Sequence, residues 1–384
     1  MSAALPLAWL QLVKQKGRLL AAVAGITFAV ILAMVQLAFQ DALYVSITQL
    51  YSHFNADVAL VSPRYQCIIS TASFPEPRLY QALALDGVQS VHSLYMDMAQ
   101  WKNPVDHYER QIFVVGFKPA PGVFDLPVVN DNLAQISEPG KILFDEASRP
   151  EFGPVGKLFR QNGSVFSELS NRQVQVVGVF RVGASFANDG NVITSDTNFF
   201  RIASYRKFGL VHVGLIKLKP GVNAEAARAQ LASMLPNDVL VLTKQGLLDR
   251  EMAYWGNSLP IGFIFRVSLI IGLIVGAVIV YQILYSDVSE HLSEFATLKA
   301  IGYSDRTLFW MVLQESIILS VFGFIPGVLL ALIVYQIARS ATVLPIQMTV
   351  MRLVVVFPLT VIMCAVSGAL AVRKLRYADP AEIF

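Results

Sequence analysis

The side chains that could do chemistry are few and scattered. The five histidines, His53, His92, His107, His212 and His291, show neither H-x-x-x-H nor H-E-x-x-H spacing, which would turn two imidazoles towards one metal from a helix face. The two cysteines sit in unlike settings, Cys67 in a polar region and Cys364 inside an apolar run, so a disulfide framework is excluded. The glycines and lysine of G-P-V-G-K-L at 153–158 lack the spacing, and the following Ser or Thr, of a phosphate-cradling loop, and no serine occupies a G-x-S-x-G elbow. These patterns give no catalytic, cofactor-binding or metal-ligating residue.

One short segment carries a different kind of signal. Residues 286–302 read S-D-V-S-E-H-L-S-E-F-A-T-L-K-A-I-G, with Val288, Leu292, Phe295, Leu298 and Ile301 at helical intervals and Asp287, Glu290, Glu294 and Thr297 on the other side. The pattern predicts an amphipathic helix, too polar to span a bilayer, closed by Gly302 as C-cap. Helices that lie on lipid carry a Lys/Arg-rich polar face. This face is acidic, which favours docking on a protein.

The elements that position this segment follow from composition. Of 384 residues, 55% are hydrophobic and only 15% charged, against about 25% in soluble domains. A net charge of +3 gives no nucleic-acid footprint. Four apolar runs, at 19–43, 261–285, 309–335 and 353–372, are long enough to cross a bilayer. The first exceeds a signal-peptide core and is not closed by an A-x-A site, so it is expected to remain as an anchor. Lys14, Lys16 and Arg18, then Lys299 and Arg306, then Arg373, Lys374 and Arg376 flank the runs on what should be the cytoplasmic side. That places residues 1–18, 286–308 and 373–384 in the cytoplasm, and 44–260 and the loop 336–352 outside. Arg339 and Arg352 bracket that loop against the rule, and their long stems are expected to snorkel.

Residues 44–260 mix β-branched runs at 56–62, 111–117, 174–180, 211–218 and 238–243 with a helix over 223–235, predicting an α/β domain. A Pro/Gly/Asn-rich stretch marks an inserted β-rich subdomain at about 118–205. At the domain's edges the helical spacing of the first two crossings continues through Leu43, Ile47, Leu50 and Phe54, and through Leu248, Met252, Trp255 and Leu259. Both crossings are therefore expected to project as an amphipathic stalk. In the second crossing Gly272 and Gly276 form a G-x-x-x-G, suited either to a homodimer interface or to packing within the subunit. Gly323, Pro326 and Gly327 are expected to kink the third.

The stretch E-F-A-T-L-K-A-I-G-Y at 294–303 and the ending R-K-L-R-Y-A-D-P-A-E-I-F at 373–384 resemble the signature of MacB/FtsX/LolC-type permeases of ABC transporters. The chain resembles the cyanobacterial DevC group more closely. The segments concerned are W-L-Q-L-V-K-Q-K-G-R at 9–18, F-D-L-P at 124–127, V-G-A-S-F at 182–186, D-G-N-V-I-T-S-D at 189–196 and S-L-P-I-G-F-I-F at 258–265. The resemblance implies a non-catalytic homodimeric permease in the inner membrane of a Gram-negative-type, cyanobacterial envelope, with a porter-like outer domain. It implies no cofactor in this chain, ATP and Mg being held by a separate ATP-binding cassette ATPase. The other implied partners are a periplasmic membrane fusion (adaptor) protein and a TolC-like outer-membrane protein, with glycolipid among the implied cargoes. Glu290, His291, Glu294, Phe295, Leu298, Lys299 and Gly302 then become the ATPase-coupling residues. An FtsX-like signalling subunit that activates a cell-wall hydrolase shares the same topology and is the alternative.

Overall fold

The computed structural model describes residues 16–290, 301 and 304–372, which form two compact units. One comprises the four apolar segments; the other spans residues 43–260 with 343–345.

The membrane unit is built from helices α1 (Lys16–Ser52), α5 (Pro260–Glu290), α6 (Asp305–Thr342) and α7 (Val350–Val372), each long and apolar enough to cross a bilayer. At about 1.5 Å per residue, the 37 residues of α1 reach roughly 55 Å, well beyond a hydrocarbon core of about 30 Å. Residues 43–52 of this helix belong to the larger unit. In the most apolar stretch of α1, 44% of residues are buried, against 17% in α5. The first crossing is thus more enclosed by the rest of the chain than the second. α6 is helical on both sides of Pro326, which lies inside it.

The larger unit carries strands β1 (Val58–Val61), β2 (Phe74–Pro75), β3 (Val88–Lys102), β4 (Glu109–Phe117), β5 (Lys141–Asp145), β6 (Val165–Leu169), β7 (Arg172–Phe180), β8 (Asn191–Ser195), β9 (Leu210–Val211), β10 (Val213–Leu218) and β11 (Leu240–Thr243). Its longer helices are α2 (Val155–Asn162), α3 (Ala224–Met234) and α4 (Lys244–Ala253). Nine strands form one sheet in the order β11-β1-β10-β3-β4-β8-β5-β7-β6, with β4–β8 and β5–β7 parallel and the other pairs antiparallel. The fifteen-residue β3 organises it. Its first half pairs with β10, its second with β4, and its last residues meet β6 through Trp101 opposite Leu169. That last pairing closes β3, β4, β8, β5, β7 and β6 into a ring. Residues 118–205, expected as an inserted β-rich subdomain, supply four of these six strands and join the same sheet.

Each of the expected strands and the expected helix has a counterpart; Asn223 caps α3 by accepting from the backbone of Glu225 and Ala226. β3 itself escapes a pattern search because both faces of its middle are covered. Leu94, Tyr95 and Met96 are buried in succession, which erases the alternation that marks a half-buried strand. One face of the sheet packs Trp101, Phe144 and Phe152, and the other Phe54, Phe113, Phe117 and Phe124.

The second half of the expected stalk is not a continuous helix. α4 runs into a five-residue π turn at Tyr254–Ser258, then Leu259 is extended (φ −103°, ψ 149°) before Pro260 opens α5. A residue before proline is pushed out of the helical region by the ring, so the unbroken 3–4 spacing through Leu259 reflects burial and not one helix.

Candidate functional site

The end of α1 is held in a socket built by α4, the loop 62–70 and three of the sequence motifs. Lys244, at the start of α4, donates from Nζ to the Ser52 carbonyl at 3.0 Å and to the Phe54 carbonyl at 2.7 Å, capping orphan acceptors where the helix stops. Seven residues on, Glu251 lies fully buried among four donors. Tyr51 Oη reaches its Oε2 at 2.5 Å, Tyr65 Oη at 3.2 Å and the Ile68 amide at 3.1 Å, while Trp255 Nε1 donates to Oε1 at 3.0 Å. Tyr51 and Tyr65 also share a short hydroxyl hydrogen bond. Burial pushes the Glu251 carboxyl above the ordinary range, and its donors pull it back only in part. Arg250 closes the knot on the other side, its Nε and Nη2 donating to the Tyr65 carbonyl at 3.1 and 2.8 Å.

The motifs complete the socket. In F-D-L-P, Phe124 bridges to Phe54 and stands edge-on to its ring at 5.7 Å, and the Asp125 amide donates to the His53 carbonyl at 2.8 Å. V-G-A-S-F is shaped by buried Asp145, which accepts from the amides of Ala147, Val182 and Gly183 and from Asn191 Nδ2 at 2.7–3.0 Å. Burial raises the Asp145 carboxyl too, against those four hydrogen bonds. Gly183 sits at φ +110°, which only glycine adopts without strain. The Phe186 amide of the same motif lies 3.4 Å from Ser46 Oγ on α1. In D-G-N-V-I-T-S-D, Asp189 accepts hydrogen bonds from Arg110 and forms an ion pair with Arg149.

Among the expected stalk residues, Ile47, Leu50, Phe54 and Trp255 are buried in this socket, and Leu248 and Met252 are half-buried. Glu251, Tyr51 and Tyr65 were not expected. The available signal was an acidic residue at position 251, on the apolar stripe between Leu248 and Trp255.

Four glycines of the membrane unit, Gly272, Gly276, Gly323 and Gly327, face their own chain. A Cβ at Gly276 would lie 2.5 Å from Ala29 Cβ and 2.8 Å from Met363 Sδ, and one at Gly272 would lie 3.3 Å from Leu32 Cβ. Within the single chain this G-x-x-x-G packs against the first and fourth crossings. Gly323 and Gly327 form a second such pair, closed against Ile26 and Val30, and Thr27 Oγ1 donates to the Gly323 carbonyl at 3.1 Å. Arg352 does not snorkel. Only 4% exposed, it donates from Nη2 to Asp41 Oδ2 at 2.7 Å and from Nη1 to Tyr335 Oη at 3.0 Å and the Gln347 carbonyl at 2.9 Å. Tyr335 in turn donates to the Met34 carbonyl at 2.6 Å, tying α6 and α7 to α1.

Of the expected coupling residues, Glu290 ends α5 and is exposed; His291, Glu294, Phe295, Leu298, Lys299 and Gly302 lie outside the described residues. Just before Glu290, Val288 packs with Val312 and Val372. Among the described residues no group of His, Cys, Asp and Glu could hold a metal.

Four apolar helices and an α/β domain that encloses the end of the first of them define a membrane protein of the permease class. Residues 19–234 match the MacB-like periplasmic core domain and residues 266–380 the FtsX-like permease C-terminal domain. The chain belongs to the MacB/FtsX-type ABC permease superfamily. It is 26% identical over 278 residues to the pyoverdine export ATP-binding/permease protein PvdT of Pseudomonas fluorescens, a match covering 68% of this chain and 40% of that protein. Similar solved structures include the periplasmic region of MacB from Actinobacillus actinomycetemcomitans (11% identity, 50% of this chain and 91% of that one, TM-score 0.35). The extracellular domain of the transporter YknZ from Gram-positive bacteria is another (13% identity, 49% and 98%, TM-score 0.33).

Proposed function

We propose that the chain is the permease subunit of an ATP-driven exporter and that it transmits motion instead of forming a pore. The observation that carries this is the continuity of α1. One uninterrupted helix begins as a membrane crossing and ends in a socket where buried groups fix it from three sides. Few polar side chains line the four crossings, whereas a water-filled path would need them. On this reading ATP and Mg are held by a separate ATP-binding cassette subunit, docked on the helix around Glu290, Glu294, Phe295 and Leu298; the lack of a phosphate-cradling loop in this sequence supports it. The ATP-binding/permease name of the Pseudomonas relative supports that pairing of functions. In the finer reading the protein is a DevC-group homodimer in an inner membrane, both termini cytoplasmic. It works with an adaptor and a TolC-like duct on periplasmic or outer-leaflet cargo such as a glycolipid.

The test uses the surface that the socket leaves open. Ile47 and Leu50 are buried, so a second copy would meet α1 elsewhere; Val45, 53% exposed, offers the nearby face. With Cys67 and Cys364 replaced by Ser, Val45→Cys should cross-link between protomers in a nucleotide-dependent way once the ATPase is present, and export should stop when the bond forms. Export that continues through the cross-link would refute transmission by α1. Copurification of a hydrolase instead of an adaptor would favour the signalling alternative.

A further inference from the structure

A cavity of ≈ 180 Å³ in the large domain is lined by Ser73, Tyr205, Arg206, Lys207, Leu210 and His212. It takes no part in the socket. At its floor His212 is 2% exposed and sits between β9 and β10. Its Nδ1 accepts from the Met96 amide at 3.1 Å, so the neutral ring carries its proton on Nε2. That Nε2 has no hydrogen-bond partner although it is buried. Burial, with Arg206 adding to it, pushes the imidazole down to about 4, so it stays neutral and its N–H remains an unmet donor. A buried donor without an acceptor carries the full cost of its desolvation, which a ligand oxygen would remove.

The walls supply the matching charge. Arg206 uses Nε to hold Asp97 Oδ2 at 2.6 Å, and its guanidinium carbon lies 5.3 Å from the centroid of the Tyr205 ring, so the charge sits at the wall of the cavity. Lys207 is exposed and has no ion pair among the described residues. Two cations against the one carboxylate of Asp97 leave a net charge of +1, suited to a monoanion. The lining adds apolar surface through Leu210 and the ring of Tyr205, which is 68% exposed.

We propose that this cavity is a binding site for a small monocarboxylate with an apolar body, whose carboxylate oxygens accept from His212 Nε2, Arg206 and Lys207. The site stands independently of the export reading. Sodium benzoate, titrated calorimetrically into the purified full chain at low ionic strength, should bind saturably at one site per chain. Lys207→Glu, at an exposed position, should leave thermal unfolding unchanged and weaken benzoate binding by at least about tenfold, because it replaces attraction by repulsion at close range. Arg206→Lys, which keeps the charge and loses the forked donors, should weaken binding by a smaller factor. No saturable binding by the parent chain would overturn the site, as would binding indifferent to Lys207→Glu. Tighter binding of inorganic phosphate, or of an acetylated triglutamate peptide, would overturn the ligand class.

Discussion

The two units solve the same problem, holding helices against their neighbours, with opposite materials. The large domain uses bulk and polarity: Trp101, Tyr51, Phe54, Phe113 and Phe124 are fully buried, and the acids Glu251 and Asp145 each gather four hydrogen-bond donors. The membrane unit uses absence of bulk: Gly272, Gly276, Gly323 and Gly327 bring α5 and α6 onto α1. The difference follows from the solvent. In water the burial of large apolar side chains drives packing, whereas in lipid tails it gains nothing and close backbone approach has to serve. α1 is the element that takes part in both schemes.

The largest effect should come from emptying the polar centre of the socket. Glu251→Ala leaves Trp255 Nε1, the Ile68 amide and two tyrosine hydroxyls without their acceptor in a buried site. A loss of about 3 kcal/mol is expected, read as a fall in thermal unfolding temperature of the full chain in detergent. Because burial raises the Glu251 carboxyl from 4.5, the native state binds a proton at pH values where the unfolded chain has released it. Stability from this group is therefore complete below about 4.5 and is lost as pH rises through the folded value. Glu251→Gln, which cannot titrate, should remove that part of the pH dependence. A pH profile unchanged by Glu251→Gln would show that the carboxyl is not perturbed.

The converse test adds bulk where the membrane unit has none. Gly276→Val should cost about 1–3 kcal/mol by forcing α5 away from Ala29 and Met363, and Gly272→Ala, with its nearest neighbour at 3.3 Å, should cost less. If Gly276→Val leaves unfolding unchanged and abolishes only association of two copies, then the pair serves a dimer and the contrast drawn above fails.

How much of this could be read in the sequence depended on whether the signal was local. The four crossings, the helix capped by Asn223 and strands such as β7 carry their periodicity within one segment. The socket does not: Tyr51, Tyr65 and Glu251 are separated by up to 200 residues, and each alone reads as an unremarkable polar residue. The stalk spacing located the right segments yet misread the second, because 3–4 spacing reports which residues are buried and is blind to the break that Pro260 imposes at Leu259. The G-x-x-x-G was visible, but the partner that it faces was not.

A smaller effect is expected at Arg352, where the two schemes overlap. Asp41 has a side chain 53% exposed, so screening discounts its share of the ion pair, while the Arg352 side chain is 3% exposed. Removing the carboxylate takes the counter-ion from a buried cation that keeps Tyr335 and Gln347; removing the cation frees a solvated anion and also leaves Tyr335 Oη and the Gln347 carbonyl without their donor. Asp41→Ala should therefore lower stability by roughly 1 kcal/mol, Arg352→Leu by more, and the double variant by less than the sum of the two. Strictly additive losses would show that the pair does not act as a unit.

The last comparison changes no stability and reads only access. Cys67 is completely buried beside the socket, and burial together with the Glu251 charge pushes its thiol up to about 11. The thiolate is the reactive form, so at pH 8 the group should resist a maleimide for two independent reasons, shielding and protonation. In a Cys364→Ser background, Cys67 should label at the rate of transient opening of the socket, and denaturant should raise that rate to that of an ordinary exposed thiol. Glu251→Ala should accelerate labelling in native buffer, since it removes one source of the raised value and loosens the loop that carries Ile68. Gly276→Val, although it disturbs helix packing in the membrane unit, should leave the rate as it was if damage there stays local. Equal acceleration by both variants would mean that strain in the membrane helices reaches the socket without any nucleotide, and the two packing schemes would then have to be treated as one mechanical system.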